Sequence, residues 1–359
     1  MIEATLEPRL AIGPLNVASQ GTAWAKAVRH NLRAEAAAYG FDGGIARLVK
    51  RSGKRVDDRV DYSIPHYRLS PQWVRASALA YALRGCTHVL NEGNTPTIGD
   101  PRARRFTDEV EWYRERGLAP AIVFHGSDIR DPDISLENDE HSYFRHVSPE
   151  LVERLRRRSH KNREAVMHQG MPLYVSTPDL LAHIPHSRLL PLTVDVEAWA
   201  GMPQAFSGPI PRVLHRPSGT NPYVKGTDII RPILEEFERR RMIEIVSSPV
   251  VAHSQMRNLY ERADIVVDQI RIGAYGVTAV EAMASGRVVI ANVSHDKEAR
   301  DRNPPVLVHA TPDTFHDALS ELLGDLSAAQ RMARDGRAYA REMHDGARAA
   351  KALDPFLFS

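Results

Sequence analysis

The sequence has a single cysteine, Cys86, in 359 residues. An internal disulfide is therefore excluded, and no Cys-x-x-Cys pair exists to hold zinc or cycle thiols. No stretch approaches the ~20 apolar residues of a membrane-spanning helix. Met1 to Arg9 carries the acidic Glu3 and Glu7 where a signal peptide would carry an apolar core. These absences lead us to expect a cytoplasmic protein in a reducing compartment. Excess charge is missing as well: 47 Lys and Arg against 45 Asp and Glu leave a formal net charge of +2. That is too mild for nucleic acid, and no zinc-finger or RNA-binding signature accompanies it, so no nucleic-acid partner is expected. Aromatic residues are sparse at 7%, and Trp24, Tyr39, Tyr67 and Trp73 show no regular stacking pattern, which leaves them core and cleft lining.

What is present is a globular composition, 43% hydrophobic and 26% charged, on a chain long enough for two domains of ordinary size. Short β-branched apolar runs alternate with helical patterns, which predicts βαβ units and parallel sheets covered on both faces. Strands are expected at Leu10–Gly13, His88–Asn91, Ala119–Phe124 and Leu173–Ser176. In the second half they are expected at Arg212–His215, Ile243–Ser247, Ala263–Asp268, Arg287–Asn292 and Val306–His309. Helices are expected at Thr22–Ala38, Thr227–Arg240 and Val277–Ser285, with a helical tail from Ser327 to Lys351. Gly201, Pro203, Gly208 and Pro209 interrupt regular structure between Val194 and Pro211 and mark the linker. The division read from this is an N-terminal domain over 1–195, a second over 196–340 and a tail over 341–359 that packs back toward the first. No internal repeat is visible.

The chemistry concentrates in the second half. From Ile272 to Ala291 a glycine-containing turn opens a helix that is followed by a buried strand. The backbone N–H groups of Gly276, Val277 and Thr278 at such a helix start lack internal partners and sit at the positive end of the dipole, which suits a phosphate. Glu281 lies four residues beyond Val277, on the same face, where a carboxylate fits ribose hydroxyls. Upstream, Arg216 in His215-Arg216-Pro217-Ser218 and Lys225 in Lys225-Gly226-Thr227-Asp228 stand on loops after a strand, at the edge where open α/β sheets bind ligands. Arginine clamps phosphate oxygens and lysine adds a point charge. Taken singly, each is an ordinary surface charge.

The succession of Lys225-Gly226-Thr227-Asp228, then Tyr260-x-x-Ala263-Asp264, then Tyr275-Gly276-Val277-x-x-x-Glu281-Ala282-Met283-Ala284-x-Gly286 resembles the retaining glycosyltransferases of family four. The resemblance implies the GT-B fold: two Rossmann-like doubly wound α/β domains facing each other across a cleft, with a C-terminal helix packing back. It also implies that Tyr275 to Thr278 and Glu281 hold the donor's pyrophosphate and ribose while Arg216 and Lys225 neutralise the phosphates. His125-Gly126-Ser127-Asp128 is similar to the family's His-Gly-Thr-Asp segment and places His125 and Asp128 in the cleft or acceptor site. Gly21, before a helix, matches the N-terminal loop that approaches the donor phosphate, against the reading of a plain βα turn. One departure stands out. Where the family has a glutamate contacting the transferred sugar, this chain has Gly273, leaving Gly273, Ala274, Arg271 or Asp268 to supply other contacts.

The expectation is therefore a metal-independent transferase without a cofactor, retaining configuration. It would take a UDP- or GDP-sugar and a small-molecule, glycan or lipid-linked acceptor, with His125, Arg216, Lys225 and Glu281 as its catalytic groups. Gly273 motivates a rival, a catalytically silent nucleotide-binding or partner protein; an epimerase or phosphorylase on the same scaffold is a third reading. Asp131-Pro132-Asp133 could hold a divalent metal, although a chance pair in an acidic loop is the plainer reading. His183 and His186 lie in a proline-containing segment without metal-site spacing. Ser176 or Thr177 is expected to cap a helix with Asp179 in its first turn. The basic run from Arg154 to Arg163 suits an anionic acceptor or the inner face of a membrane, or is simply a solvated helix face.

Overall fold

The computed structural model describes residues 7–41, 60–219, 221–247, 253–294 and 304–359. The chain divides into two compact units, one of Met1–Asp131, Arg154–Thr193 and Gly346–Ser359, the other of Pro132–Glu153 and Val194–Asp345. Helices in chain order are α1 (Gln20–Asn31), α2 (Gln72–Ala82), α3 (Val110–Arg114), α4 (Pro132–Asn138), α5 (Pro149–Met167) and α6 (Thr227–Arg239). They continue with α7 (Met256–Glu261), α8 (Val277–Ala284), α9 (Phe315–Gly324), α10 (Leu326–His344) and α11 (Ala347–Leu357).

The first unit holds a seven-stranded sheet of β1 (Arg9–Gly13), β2 (Glu35–Phe41), β3 (Tyr62–Ile64), β4 (His88–Glu92), β5 (Ala119–Phe124), β6 (Leu173–Val175) and β7 (Arg188–Leu189). Its order is β3-β2-β1-β4-β5-β6-β7, and every pairing is parallel. Strands covered on both faces are apolar throughout rather than alternating, as in β5, buried from Pro120 to Phe124. One core layer joins Trp24 and Val28 of α1 to Leu353 and Phe356 of α11, and the other gathers Leu79, Phe106, Tyr113 and Phe124. Gly13 is required where β1 touches β2, because a Cβ there would stand 2.3 Å from the Tyr39 carbonyl oxygen.

The second unit holds a five-stranded sheet of β8 (Arg212–His215), β9 (Glu244–Ile245), β10 (Ile265–Val267), β11 (Val288–Ala291) and β12 (Val308–His309). Its order is β12-β11-β10-β8-β9, again all parallel. Val213, Ile230, Phe237, Ile265, Ile290, Phe315 and Leu319 form its core.

Two expectations change. The helix expected over Thr22–Ala38 stops at Asn31, and Glu35–Phe41 is strand β2. The run Glu-Ala-Ala-Ala favours helix by propensity, but pairing in register with β1 from Arg9–Glu35 to Ile12–Ala38 overrides it. The tail is two helices rather than one, broken after His344 by Gly346 at φ +109.

Both sheets are doubly wound, and each has a switch point where successive strands leave in opposite directions: between β1 and β4, and between β8 and β10. Ligands of such sheets bind at the carboxyl ends beside that point. The registers there match: Gly13 pairs with Asn91, so Glu92 is the next residue, and His215 pairs with Val267, so Asp268 is the next residue.

Candidate functional site

In the second unit, β8 ends on buried His215. Its Nδ1 lies 2.9 Å from the Val267 carbonyl oxygen and its Nε2 2.8 Å from the Thr227 hydroxyl. A carbonyl only accepts, so Nδ1 carries the proton and Nε2 accepts from Thr227. Burial holds the pKa down to about 4, so the ring is neutral and ties β8 to β10 and to the first residue of α6. Beyond this knot the chain presents Arg216, whose guanidinium contacts the Met256 sulfur, and Lys225, whose Nζ donates to Asp268 Oδ1 at 2.8 Å. Gly226 sits at φ +80, and a Cβ there would fall 2.5 Å from Ile270 Cγ1, so only glycine lets this turn lie against the 268–271 loop.

Asp268 is buried, and its Oδ2 accepts the Gly276 N–H at 2.7 Å. That corrects one expectation: of the three amides assigned to a phosphate, Gly276 is already engaged. Val277 and Thr278, the first two residues of α8, keep theirs without a protein acceptor among the described residues. Gln269 builds the turn between, accepting the Ile272 N–H at 2.6 Å and donating to the carbonyls of Ala274 and Asn292. Gly273 and Ala274 are buried in that turn. The Tyr275 hydroxyl is turned to α10, 3.0 Å from His344 Nε2 and 3.3 Å from the Tyr339 hydroxyl. Arg271 is buried and ion-paired to Asp228 at 2.8 Å. Of the stand-ins for the carboxylate missing at Gly273, the two with polar side chains, Asp268 and Arg271, are thus committed to protein partners.

Glu281 lies buried one turn into α8, bonded through Oε2 to the Tyr260 hydroxyl at 2.9 Å and through Oε1 to His253 Nε2. Trp199 meets both rings edge-on, at 6.1 Å from His253 and 5.4 Å from Tyr260. Burial and the Glu281 charge push the Tyr260 hydroxyl well above its ordinary pKa, keeping it a donor. Sequence reading missed this cluster. The signal was in hand, since Tyr260 opens the Tyr-x-x-Ala-Asp segment and His253 stands just before it, but Trp199 lies far from both in sequence.

In the first unit, the loop after β1 passes through left-handed conformations at Asn16, Ala18 and Ser19, which for non-glycine residues are held only by surrounding structure. The holder is Glu92, fully buried, whose carboxylate accepts the N–H groups of Asn16 (2.5 Å) and Val17 (3.0 Å). Asn16 Oδ1 in turn accepts the Thr22 N–H at 3.1 Å. Gly21 lies under this turn with little room for a side chain: a Cβ would stand 3.1 Å from Asn16 Oδ1 and 3.2 Å from Glu92 Oε2. A buried carboxylate beside Gly21 favours hydrogen-bond donors over phosphate. His125 stacks on Trp24 with ring centroids 5.7 Å apart, and its Nε2 lies 3.3 Å from Glu92 Oε1. Asp128 shapes the same turn by accepting the N–H groups of His125 and Gly126 at 3.2 and 2.8 Å.

Other candidates have structural partners. Asp131 is paired with Arg163 at 3.0 Å and His160 at 2.8 Å, and its N–H donates to His183 Nδ1 at 2.9 Å. Thr177 stands at the N-cap of the short turn Pro178–Ala182 with Asp179 in its first turn, as expected, but makes no side-chain cap hydrogen bond; Asp179 is ion-paired to Arg130. On α5, Arg154, Arg157, Arg158 and Lys161 are exposed.

Residues 210–325 match the family model described as glycosyl transferases group 1. Solved structures share the fold over 98% of this chain. A glycosyltransferase from Rickettsia africae aligns at 14% identity and TM-score 0.59 over 98% of its own length. HepE of Anabaena, in complex with UDP and glucose, aligns at 12% and 0.51 over 100% of its length. An alpha-glucosyltransferase in complex with UDP and a 13-mer DNA aligns at 10% and 0.62, also over 100% of its length. No curated protein matches the chain. The fold is GT-B, two Rossmann-like α/β domains with C-terminal helices, and the family match together with this fold supports a glycosyltransferase. Among the described residues no helix is long and apolar enough to cross a membrane.

Proposed function

We propose that the chain transfers a sugar from a nucleotide-diphosphate donor to an acceptor, with retention of configuration, and that the donor's diphosphate binds at the β8/β10 switch point. The observation that carries this is the convergence of Arg216, Lys225 and the open N–H groups of Val277 and Thr278 on one sheet edge, inside the segment that matches the glycosyl transferases group 1 family. These groups bind an anion without metal, and their fixed charge stabilises the diphosphate as it departs from an oxocarbenium-like centre. We therefore expect turnover to survive EDTA.

Glu281, held by Tyr260 and His253, is the ribose acceptor, and His253 shifts to admit the hydroxyls. Lys225 shares its charge between Asp268 and phosphate. His125 and Asp128 belong to the acceptor side on the first unit, and Gly21 serves by leaving space for Asn16 and Glu92. UDP is the nucleotide to try first, because HepE and the alpha-glucosyltransferase were solved with it. Gly273 favours one other reading, a silent binder of nucleotide diphosphate.

Titration calorimetry with UDP and GDP tests the site. Lys225→Ala and Arg216→Ala should each weaken binding by at least about 1.5 kcal/mol, the low end for a hydrogen bond to a charged group. Unchanged affinity in both removes the site. Binding without consumption of any UDP- or GDP-sugar, with acceptors or water, leaves the silent reading standing.

A further inference from the structure

A surface helix ordinarily turns its charges outward and its apolar stripe inward. Helix α2 buries Leu79 and Ala82 in this way, but its charge and its aromatic rings are placed the other way round. Its sequence, Gln-Trp-Val-Arg-Ala-Ser-Ala-Leu-Ala-Tyr-Ala, contains no acidic residue and one charge, Arg75. Arg75 is buried, donating through Nε to the Ile98 carbonyl at 2.8 Å and through Nη1 to the carbonyls of Tyr67 and Ser70. Facing out instead are Trp73 and Tyr81, 71% and 69% exposed, with Leu69, 61% exposed, just before the helix. Tyr62 on edge strand β3 extends the patch, its ring 6.2 Å from that of Tyr81. Arg68 and Arg84 bracket the helix at its two ends, both exposed, and neither has a carboxylate partner among the described residues.

We infer that this face of α2 docks on an anionic lipid bilayer. Tryptophan and tyrosine settle at the headgroup level, where the ring is buried and its polar edge stays wet, and arginines at the same height meet lipid phosphates. The charge arrangement selects this occupant over a second copy of the chain. Two-fold pairing of the face would set Arg68 against the partner copy's Arg84 with the helices antiparallel, and each arginine against its own counterpart with them parallel, like charge on like in both arrangements. A lipid surface accepts both ends of a helix ~16 Å long at once. The inference stands apart from the transferase reading and from the basic run on α5.

The test is flotation of the full chain with vesicles of phosphatidylcholine containing about a third phosphatidylglycerol, against phosphatidylcholine alone. The wild type should bind the anionic vesicles, weaken as salt rises, and show a blue shift of tryptophan emission that Trp73→Phe reduces. Trp73→Ala with Tyr81→Ala should lower binding roughly tenfold or more, with circular dichroism and melting temperature unchanged because both rings are solvent-exposed. Arg68→Ala with Arg84→Ala should remove most of the salt dependence. The inference fails if the wild type does not float. It also fails if the aromatic pair is without effect while Arg158→Glu with Lys161→Glu abolishes binding, or if sedimentation velocity shows a dimer that the aromatic pair dissolves.

Discussion

At the switch point of the first sheet the loop after β1 closes on a carboxylate; at that of the second, the loop after β8 carries two cations, Arg216 and Lys225. The frameworks are alike down to the register. Glu92 and Asp268 each stand one residue past the partner of the preceding strand's last residue, and each accepts backbone N–H groups of an adjacent turn. What differs is the neighbour. Asp268 has Lys225 at 2.8 Å, whereas Glu92 has only the His125 ring at 3.3 Å. A buried carboxylate is thus a means of building the turn, and the cation beside it decides whether an anion is welcome. The first unit suits hydroxyl-rich ligands, which can donate to Glu92, and the second suits a diphosphate.

The largest effect should come from removing the first unit's holder. Glu92→Ala strands the buried N–H of Asn16 and the part-buried N–H of Val17, at about 1–3 kcal/mol for a buried group, in a loop that is already left-handed at three residues. We expect a loss of about 4 kcal/mol in urea unfolding. A loss below about 1 kcal/mol would show the turn to be self-supporting and the carboxylate free for other work.

Next come the two turn glycines, which should differ. Gly226→Ala forces a side chain into a left-handed position and against Ile270, costing about 3 kcal/mol. Gly21→Ala crowds Asn16 and Glu92 without a backbone penalty and should cost about 1 kcal/mol. Equal costs would mean that the second turn is no tighter than the first.

Each unit also buries a histidine whose pKa is lowered to about 4 from the usual 6.5, His183 in the first and His215 in the second, in both cases chiefly by burial. With the folded value depressed, the unfolded chain takes up the proton first as pH falls below 6.5, so stability drops from there until about 4 and is flat above. His215→Asn should remove its share of that slope, roughly 2 kcal/mol between pH 6.5 and 5, measured by urea unfolding at the two pH values. An unaltered slope would assign the acid sensitivity to His183 and to the less buried His66, His88 and His146, which burial also lowers.

Much of this was legible in the sequence because βα alternation and the glycine-containing helix start are local signals. Ala119–Phe124 and Arg212–His215 are strands with the expected bounds. Three kinds of feature were not legible. Strand β2 hides in an alanine run whose conformation is decided by its neighbour β1. Glu92 carries no signal in the sequence and Asp268 reads only as a candidate sugar contact, since their role in building turns depends on segments that reach them, 76 residues away in the case of Asn16. The reversed face of α2 shows only when Arg75 is seen to point inward, for a lone arginine in an apolar helix otherwise reads as its solvent side.

The smallest effect is the most discriminating. Asp268→Asn keeps an oxygen to accept the Gly276 N–H but deletes the charge facing Lys225. Two consequences oppose each other for UDP binding. Lys225 loses the partner that orients it, worth at most about 1 kcal/mol for a side chain with rotamer freedom to regain. The site also loses a negative charge close to where we propose that a diphosphate binds; at about 6 Å and an effective dielectric near 20, one unit charge acts with roughly 3 kcal/mol before water and ions reduce it. The second effect should win by a modest margin, so UDP affinity rises about three- to tenfold while stability falls by about 1 kcal/mol. Calorimetry on the variant decides the matter. Should UDP bind tenfold more weakly instead, Asp268 is a positioning residue for Lys225, and the two buried carboxylates differ in purpose as well as in company.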